Sequence, residues 1–363
     1  MRSVKQQQSQ LFSEIPTKNA GVLPSTRYQG SKYKILKWID FYTKDLDFDT
    51  MLDAFGGTGC VGYMFKKNGK QVFYNDSLKF NHYVGLALIE NKDTALTNED
   101  LDFILKKHPK IKYPSFIQDT FHDIYFTDEE NKWLDVVITN IGEIKDTFKQ
   151  ALAYYSLFQS CIIKRPYNLF HRKNLYIRTA EVERSFGNKK TWDTPFEDHF
   201  LKFVEEANNA VFDNGKKNQA SHSDILNLTI PKIDLVYIDT PYISVKGVGV
   251  NYFDFYHFLE GIVFYDDWSK LIDENSRHKK IKNGKSEWCN KGEIHGAFAR
   301  LFDKFKNSIL VVSYRDDGTP TISELADMLK KHKKSVEIKK LNYKYVLSNG
   351  NTKIGRASCR ERV

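Results

Sequence analysis

The sequence is poor in cysteine, and its cysteines lack the paired spacing of metal and disulfide sites. Four are present, at positions 60, 161, 289 and 359, and no two of them form a CxxC pair. The ten histidines form no HxxxH pair either. These absences argue against a disulfide framework and against a structural zinc site. We therefore expect reduced thiols and no bound metal.

Long hydrophobic runs are also missing. No apolar stretch approaches the length of a membrane span, and the polar start, MRSVKQQQSQ, has no signal-peptide core. We therefore expect a cytoplasmic protein with no membrane partner. With 363 residues, 41% hydrophobic and 28% charged, the chain has a globular composition and is long enough for one large domain or two. The sequence leaves the oligomeric state open.

Acidic residues are in the minority. The chain has 46 Asp and Glu against 55 Lys and Arg, a formal net charge of +9. This excess indicates an acidic partner, with nucleic acid as the first candidate. Part of it comes from residues 354–363, IGRASCRERV, which read like a translated sequencing adapter. We predict that this tail is non-native; a native, disordered basic tail is the alternative.

Strand-like and helix-like segments alternate along much of the chain. Residues 49–76 show a strand, a glycine turn, a helix and a strand, and IDLVYID and SILVVSY supply two later strands. This order predicts an α/β fold with a parallel, Rossmann-like sheet. Residues 85–215 have little strand pattern. We predict a catalytic domain formed by 26–84 and 216–353, interrupted by a mostly helical insert at 85–215.

The glycine turn, DAFGGTGCVG, places a GxGxxG pattern between a strand and a helix. Glycines there allow close approach of the backbone to a ligand, and Asp76 at the tip of the next strand can bind two ribose hydroxyls. An NAD-dependent dehydrogenase and an ordinary tight turn are both compatible with this pattern alone. Asp53, directly before the turn, is unlike a dinucleotide site. Its carboxylate suits an amino group, as on the methionine part of S-adenosylmethionine.

A second unusual stretch is DLVYIDTPYIS, residues 234–244. Its apolar run is typical of a strand buried on both faces, and proline ends the strand near Asp239. A carboxylate and an aromatic ring therefore leave the sheet together at a strand tip. A capped turn without function is the alternative.

Three motifs in sequence order, RYQGSK (27–32), LDAFGGTG (52–59) and DTPY (239–242), resemble the N6-adenine DNA methyltransferases of the Dam-like, α-ordered class. The resemblance covers residues 27 to about 352. SNGN at 348–351 resembles a hairpin close to that family's C-terminus. The main departure is Thr240, where the family usually has proline.

The resemblance implies S-adenosylmethionine as cofactor. Lys32 would bind its carboxylate, Asp53 would help to shape the pocket, and Asp76 would hold its ribose. Asp224 would lie near its adenine, although a solvated loop acid is an equal alternative. The implied cofactor-binding residues are Tyr28, Lys32, Asp53, Phe55, Gly57, Gly59, Asp76, Asp224 and Asp239.

The resemblance also implies how the strand tip works. The lone pair of the adenine amino group is delocalised, and two acceptors aimed at its hydrogens favour the pyramidal geometry of the transition state. The Asp239 carboxylate and the carbonyl of Thr240 would be these acceptors. Tyr242 would stack on the extruded base, and Pro241 favours an extended conformation at residue 240. The implied catalytic residues are Asp239, Thr240, Pro241 and Tyr242.

Two basic segments are candidates for DNA contact. Residues 161–190 hold eight Lys and Arg against two Glu, with interleaved aromatic residues, and 277–285 form a second cluster. A solvated surface is the alternative for both. The aromatic stretch at 251–258 suits either a base pocket or the core. The predicted DNA-binding residues are Lys164, Arg165, Arg172, Lys173, Arg178, Lys279 and Lys280.

The leading hypothesis is an adenine-specific methyltransferase of double-stranded DNA from a restriction–modification system, with a cognate restriction endonuclease encoded nearby. Methylation of RNA or of a protein amide is one alternative. A DNA-binding relative that has lost catalysis is another, motivated by Thr240. The sequence leaves the DNA recognition site open, because base readout depends on the geometry of the insert.

Overall fold

A computed structural model describes most of the chain. The described residues are 21–182, 189–244, 249–282, 284, 286–341 and, as backbone only, 354–358. The predicted SNGN hairpin at 348–351 lies outside them.

Among these residues, nine strands form one large sheet and one small one. Their bounds are β1 Thr50–Asp53, β2 Gln71–Asp76, β3 Gln219–His222, β4 Leu235–Ile238, β5 Ile243–Ser244, β6 Ile309–Val312, β7 Gly318–Thr319, β8 Glu337–Leu341 and β9 Ile354–Ser358. The large sheet has the order β3-β2-β1-β4-β6-β9-β8, and β5 pairs with β7 separately. Strands β3, β2, β1, β4 and β6 are parallel, whereas β9 is antiparallel to both of its neighbours. The predicted Rossmann-like α/β sheet is confirmed.

The strand order creates a natural binding crevice. Strand β1 lies in the centre, with β2 on one side and β4 on the other. Connections therefore leave the sheet in opposite directions at the carboxyl ends of β1 and β4. Ligands of open α/β sheets bind at such a switch point.

Hydrophobic layers cover both faces of the sheet. In β1, Met51 packs into one hydrophobic cluster and Leu52 into the other, and in β4 Leu235 and Val236 divide in the same way. Every residue of β4 is buried. The uninterrupted apolar run of β4 reflects this two-sided burial.

Helices supply the outer layers. Their bounds are α1 Leu36–Thr43, α2 Cys60–Lys67, α3 Lys79–Gly85, α4 Asn98–Leu105, α5 Phe116–Thr120, α6 Asp128–Glu143, α7 Thr147–Ile163, α8 Leu175–Thr179, α9 Lys189–Asp193, α10 Phe196–Ala210, α11 Tyr252–Val263, α12 Trp268–Leu271, α13 Ile294–Lys304 and α14 Ile322–Lys330. A π-helical turn, Leu86–Glu90, follows α3, and short 3₁₀ turns lie at Tyr33–Ile35, Pro166–Asn168, Tyr265–Asp267 and Glu287–Cys289. None of the helices among the described residues is both long and apolar enough to cross a bilayer.

The region between residues 85 and 215 is mostly helical, as predicted. Within its described parts, 85–182 and 189–215, no strand is present. Side-chain caps start its two longest helices: Thr127 accepts from the backbone of Glu130 before α6, and Asp146 caps α7. Helix α7 packs on α3 and α10, and its apolar residues share one cluster with Met51 of β1. The division into a catalytic domain and a target-recognition insert stays a prediction.

Strand β9 falls inside the segment that the sequence marks as adapter-like. Its backbone pairs with β6 through residues 357 and 358 and with β8 along its whole length. It thereby joins β6 to the edge strand. The non-native origin of residues 354–363 stays a prediction.

Candidate active site

A cleft of about 620 Å³ lies at the carboxyl ends of β1, β2 and β4. It brings together most of the cofactor-binding residues predicted from the sequence, although they come from segments up to two hundred residues apart. Gly59 lies in the turn at its edge, and Asp224 lies in a neighbouring cavity. The predicted residues that line the cleft are Tyr28, Lys32, Asp53, Phe55, Gly57, Asp76, Asp239 and Pro241.

The glycine turn forms one wall of the cleft. Its backbone adopts conformations that favour glycine. Gly57 has φ +50° and Gly59 has φ +69°, both left-handed. A Cβ atom on Gly56 would lie 2.0 Å from the Tyr74 ring, so a side chain is excluded there. Helix α2 begins directly after Gly59. The turn therefore presents backbone rather than side chains to the cleft.

Asp53 ends β1 and points into the cleft while almost fully buried. Its Oδ2 accepts a 3.0 Å hydrogen bond from the backbone N–H of Gly62, which opposes the effect of burial. Burial raises the pKa of Asp53 to about 8, and the nearby carboxylates of Asp239 and Asp76 also raise it. A further cation beside Asp53 would favour its ionised form.

Asp76 ends β2 and is fixed by backbone donors. Its Oδ2 accepts from Gly57 N at 2.9 Å and its Oδ1 from Leu78 N at 2.8 Å. Burial nevertheless raises the pKa of this carboxyl group. Hydrogen bonds from these two N–H groups, from the Asn81 side chain and from the Ser77 backbone lower the pKa and oppose the effect of burial. The carboxylate is thus held in one orientation.

Asp239, directly after β4, has a partner on each carboxylate oxygen. Tyr242 donates its hydroxyl to Oδ1 at 2.6 Å. The Lys32 ammonium forms an ion pair with Oδ2 and lies 5.5 Å from the centroid of the Tyr242 ring. Lys32, Asp239 and Tyr242 therefore form one contiguous group, although the sequence predicted Lys32 as a ligand of the cofactor carboxylate.

Thr240 is buried beneath this group. Its side chain is 3% exposed, and Oγ1 has no hydrogen-bond partner in the described residues. Pro241, the next residue, lines the cleft. The hydroxyl that distinguishes this chain from the usual family sequence therefore contributes no hydrogen bond to the described structure.

Three tyrosines stack at the entrance of the cleft. The Tyr28 ring is parallel to those of Tyr256, at 4.3 Å between centroids, and Tyr252, at 5.8 Å. Tyr252 lines the cleft, whereas Tyr256 and Phe258 are fully buried. The aromatic stretch at 251–258 thus contributes to the core and to the wall of the cleft, and its part in a base pocket stays a prediction. Sequence reasoning named this stretch but did not single out Tyr252, and it missed Asn81.

Asp224 lies beside the cleft. It is exposed and lines a second cavity of about 1390 Å³, which shares Phe55, Pro241 and Tyr252 with the first. Its Oδ1 accepts from Leu226 N at 2.8 Å, a local turn contact. The second cavity therefore adjoins the cleft, and Asp224 is one of the residues that line it.

The first basic segment does not present its cations as the sequence predicted. Lys164 and Arg178, 1% and 5% exposed, both pair with Glu130, at 2.7 and 2.6 Å. Arg165, 1% exposed, donates to the backbone carbonyls of Tyr125, Leu169 and Arg172 and to the side chain of Asn174. These three side chains hold loops together and cannot reach a phosphate in this conformation. Their assignment to DNA contact is corrected accordingly.

The other four predicted DNA-binding cations lie at or near the surface. Arg172 and Lys173 are exposed, and Lys279 and Lys280 are partly exposed. Three of them form ion pairs with surface or partly exposed acids, Lys173 with Asp123 at 3.8 Å, Lys279 with Glu274 at 3.0 Å and Lys280 with Asp254 at 4.0 Å. Such pairs are weak in water. These cations remain candidates for phosphate contact.

The two basic segments meet around one buried hydroxyl. Tyr125 Oη contacts the carbonyl of Phe170 at 2.6 Å and that of His278 at 3.0 Å.

We call residues 123–125, 165–173 and 276–280 the three-loop corner. It contains every non-glycine residue with positive φ among the described residues, and strained backbone of this kind gathers at functional sites. These residues are Asp123, Tyr167, Asn168 and Lys279.

The fold and the cleft define a Rossmann-like α/β enzyme class with its site at the switch point of the sheet. Residues 28–317 match the family model described as D12 class N6 adenine-specific DNA methyltransferase, and the chain belongs to this family. The match confirms the methyltransferase interpretation of the motifs and excludes the dehydrogenase. The protein is an adenine-specific DNA methyltransferase.

Curated relatives support the same assignment. The chain is 31% identical over 337 residues to type II methyltransferase M2.HphI of Haemophilus parahaemolyticus, covering 91% of this chain and 94% of that protein. It is 25% identical over 318 residues to type II methyltransferase M.NlaIII of Neisseria lactamica, covering 84% and 87%. For type II methyltransferase M.FokI of Planomicrobium okeanokoites, the identity is 27% over 329 residues, covering 84% of this chain and 47% of that protein.

Proposed function

We propose that this protein binds S-adenosylmethionine in the cleft and transfers its methyl group to the N6 amino group of an adenine extruded from a specific DNA sequence. The observation that carries the proposal is the convergence of three carboxylates, Asp53, Asp76 and Asp239, from three adjacent strand ends on one cleft. Each of them matches a different polar group of the two reactants.

The residues of the cleft fit this cofactor. Burial raises the pKa of Asp53 to about 8, and the α-ammonium group of the cofactor would favour its ionised form. Asp76, held in one orientation by backbone donors at the tip of β2, is placed to accept the ribose hydroxyls. Asn81 lines the same cleft with its buried Oδ1 unpartnered in the described residues, an acceptor that a ligand donor would satisfy. The neighbouring cavity, which Asp224 lines, would receive the cofactor adenine.

The reaction requires an acceptor arrangement at the strand tip. When bound, the cofactor supplies a methyl group on a sulfonium, which leaves its bonding electrons on sulfur. Asp239 accepts one hydrogen of the adenine amino group, and the carbonyl of Thr240 accepts the other, so that the nitrogen lone pair turns out of the ring plane. The new N–C bond makes the nitrogen cationic, and one of its protons leaves through the Asp239 carboxylate.

Burial of Tyr242 favours a target base brought out of the duplex. Its ring is 7% exposed and packs edge-to-face on Tyr314, with centroids 5.3 Å apart. A base that stays stacked inside the DNA duplex cannot reach a ring that is buried in the protein. Stacking on Tyr242 would then compensate part of the cost of unstacking the base.

The three-loop corner is the DNA-facing surface in this proposal. The backbone N–H of Phe170 donates to the carbonyl of Phe255 in α11 at 2.9 Å, three residues after Tyr252 at the cleft. Arg172, Lys173, Lys279 and Lys280 therefore lie on loops that are tied to a helix of the active site. DNA phosphates would replace the acidic partners of these cations, because exposed ion pairs contribute little to stability.

A restriction–modification role follows from the relatives. The proteins similar to this chain carry the names of type II methyltransferases and modification methylases. A methyltransferase of this kind protects the host DNA from an endonuclease with the same recognition sequence. We include such an endonuclease, encoded nearby, in the proposal.

The test is transfer of labelled methyl from S-adenosylmethionine to unmethylated genomic DNA by the purified protein. We expect N6-methyldeoxyadenosine on mass spectrometry of the digested DNA and a single short sequence context on mapping by direct sequencing. The matched control is the Asp239→Ala variant. Label in RNA or in a protein amide, or binding of the cofactor without transfer to DNA, would contradict the proposed function.

A further inference from the structure

Lys32 pairs with the carboxylate of the strand tip. Its ammonium forms an ion pair with Asp239 and donates to the carbonyl of Gly30 at 2.9 Å, and its side chain is 4% exposed. The sequence stretch RYQGSK predicted an ammonium that binds the carboxylate of the cofactor. In the structure, the same ammonium is a neighbour of the catalytic carboxylate.

We propose that Lys32 is a positioning residue for methyl transfer, whose ammonium holds the Asp239 carboxylate oriented toward the adenine amino group, and that it is not the ligand of the cofactor carboxylate. The inference rests on the proposed function and assigns to Lys32 a role in the chemical step.

The charges of the cleft make a cation at Asp239 important. Three carboxyl groups converge on one cleft, and burial, together with Asp239 and Asp76, raises the pKa of Asp53, whereas Lys32 lowers it. The Lys32 ammonium is the cation that the structure places directly on Asp239. It offsets the repulsion between the carboxylates while it fixes one oxygen of Asp239.

The geometry leaves Asp239 able to act while it is held. Lys32 engages Oδ2 and Tyr242 engages Oδ1, so each oxygen retains one lone pair for an adenine N–H. The lysine is itself held in place. Gly30, whose carbonyl accepts from Nζ, has φ +87°, and a Cβ there would lie 2.2 Å from Tyr252 Oη. The loop that carries Lys32 is therefore closely packed against α11.

The decisive experiment compares the Lys32→Met variant with the wild type by two separate measurements. Calorimetric titration gives the dissociation constant of S-adenosylmethionine, and single-turnover transfer to unmethylated genomic DNA at saturating cofactor gives the chemical rate. We expect the rate to fall about 100-fold, as when one preorganised electrostatic group is removed, and the dissociation constant to change less than about threefold. Lys330→Met, which removes an exposed lysine of α14 that does not line the cleft, is the control and is expected to leave both quantities unchanged.

A double-mutant cycle separates a positioning role from general damage to the fold. In an Asp239→Asn background, Lys32→Met is expected to lower the rate less than about threefold, because its partner charge is already absent. Equal losses in both backgrounds would overturn the proposal. So would a Lys32→Met protein whose cofactor binding weakens tenfold or more while its rate at saturation is unchanged, since that pattern belongs to a cofactor ligand.

Thermal unfolding tests the ion pair independently of the reaction. Breaking a buried pair from one side leaves an uncompensated charge, whereas removal of both charges leaves none. The Lys32→Met, Asp239→Asn double variant is therefore expected to melt no lower than the less stable single variant. Additive losses in melting temperature would contradict the pair. A wild-type protein that methylates no adenine would contradict the proposed function, and the melting cycle would still decide whether Lys32 and Asp239 are coupled.

Discussion

Tyr242 donates its hydroxyl to Oδ1 of Asp239 over 2.6 Å, so the aromatic residue of the strand tip is bonded to the carboxylate three residues before it. This contact gives Tyr242 two separable features, a ring that can stack on a base and a hydroxyl that orients Asp239. The two features can be removed one at a time.

Tyr242→Phe keeps the ring and removes only the hydrogen bond. A hydrogen bond to a charged group contributes about 1.5–3 kcal/mol, and Lys32 still holds Asp239 in this variant. We expect the single-turnover rate to fall by about tenfold or less. Tyr242→Ala removes the stacking surface as well, which is worth about 1–3 kcal/mol per base, and is expected to lower the rate by a further tenfold or more. Equal rates for the two variants would show that the ring does not contact the base.

The proton on Asp53 predicts a pH dependence of cofactor binding. Burial raises the pKa of Asp53 to about 8, and an ammonium group beside it favours the ionised form. Binding below pH 8 must therefore release a proton. We expect the association constant of S-adenosylmethionine to rise by up to about tenfold per pH unit between pH 6 and 7.5, a range in which an α-amino group with a pKa of about 8 stays mostly protonated.

Calorimetry in two buffers with different ionisation heats measures this proton directly. Close to one proton should be released per cofactor bound at pH 6.5. Asp53→Asn is the matched control, because an amide cannot ionise, and its weaker binding should show no such pH dependence. Proton uptake by the wild-type protein would contradict the assignment of Asp53 to the ammonium group.

The exposed cations of the three-loop corner predict the salt dependence of DNA binding. Neutralising Arg172, Lys173, Lys279 and Lys280 together should weaken binding and lower the slope of log affinity against log salt by about one unit for each phosphate that is no longer neutralised. Cofactor binding should be retained. The control replaces two exposed lysines, Lys330 at the end of α14 and Lys331 directly after it. An equal reduction of the slope in that control would show that the effect is not local.

The buried cations of the same region predict a loss of stability instead. Glu130 pairs with both Lys164 and Arg178, and Glu130→Ala would leave two largely buried positive charges without their acid. Removal of one partner of a buried pair costs about 3–5 kcal/mol. Chemical denaturation should report a destabilisation of this order. A Glu130→Ala protein as stable as the wild type would show that water compensates these charges.

Much of the catalytic cleft could be predicted from the sequence because its residues belong to local patterns. Asp53, Gly57 and Asp76 each stand at a fixed place relative to a strand end or a glycine turn, and parallel strands bring their carboxyl ends to one edge of the sheet. The same rule placed Asp239 beside them. The convergence follows from the parallel order of the strands, which the alternating pattern indicated.

The partners of individual charges could not be predicted in this way. Lys164, Arg165 and Arg178 read as a basic surface because a count of charges contains no information on burial. Each is buried because a distant residue supplies its acceptor, Glu130 or the carbonyl of Tyr125. The ion pair of Lys32 with Asp239 was missed for the same reason, since only the fold shows that the two side chains meet.

The last prediction concerns Thr240, the residue that departs from the usual family sequence. Its Oγ1 is buried without a hydrogen-bond partner in the described residues, and a buried hydroxyl in that condition is unfavourable. Thr240→Pro retains the backbone carbonyl that serves as acceptor and has a φ suited to an extended turn. We therefore expect it to keep most of the single-turnover rate. Asp239→Ala removes an acceptor of the transition state and should lower the rate by about 10²–10³, with a smaller change in cofactor binding. Transfer of labelled methyl to duplexes that contain the mapped recognition sequence measures both. A folded Thr240→Pro protein without activity, together with an active Asp239→Ala protein, would show that the strand tip does not supply the acceptors.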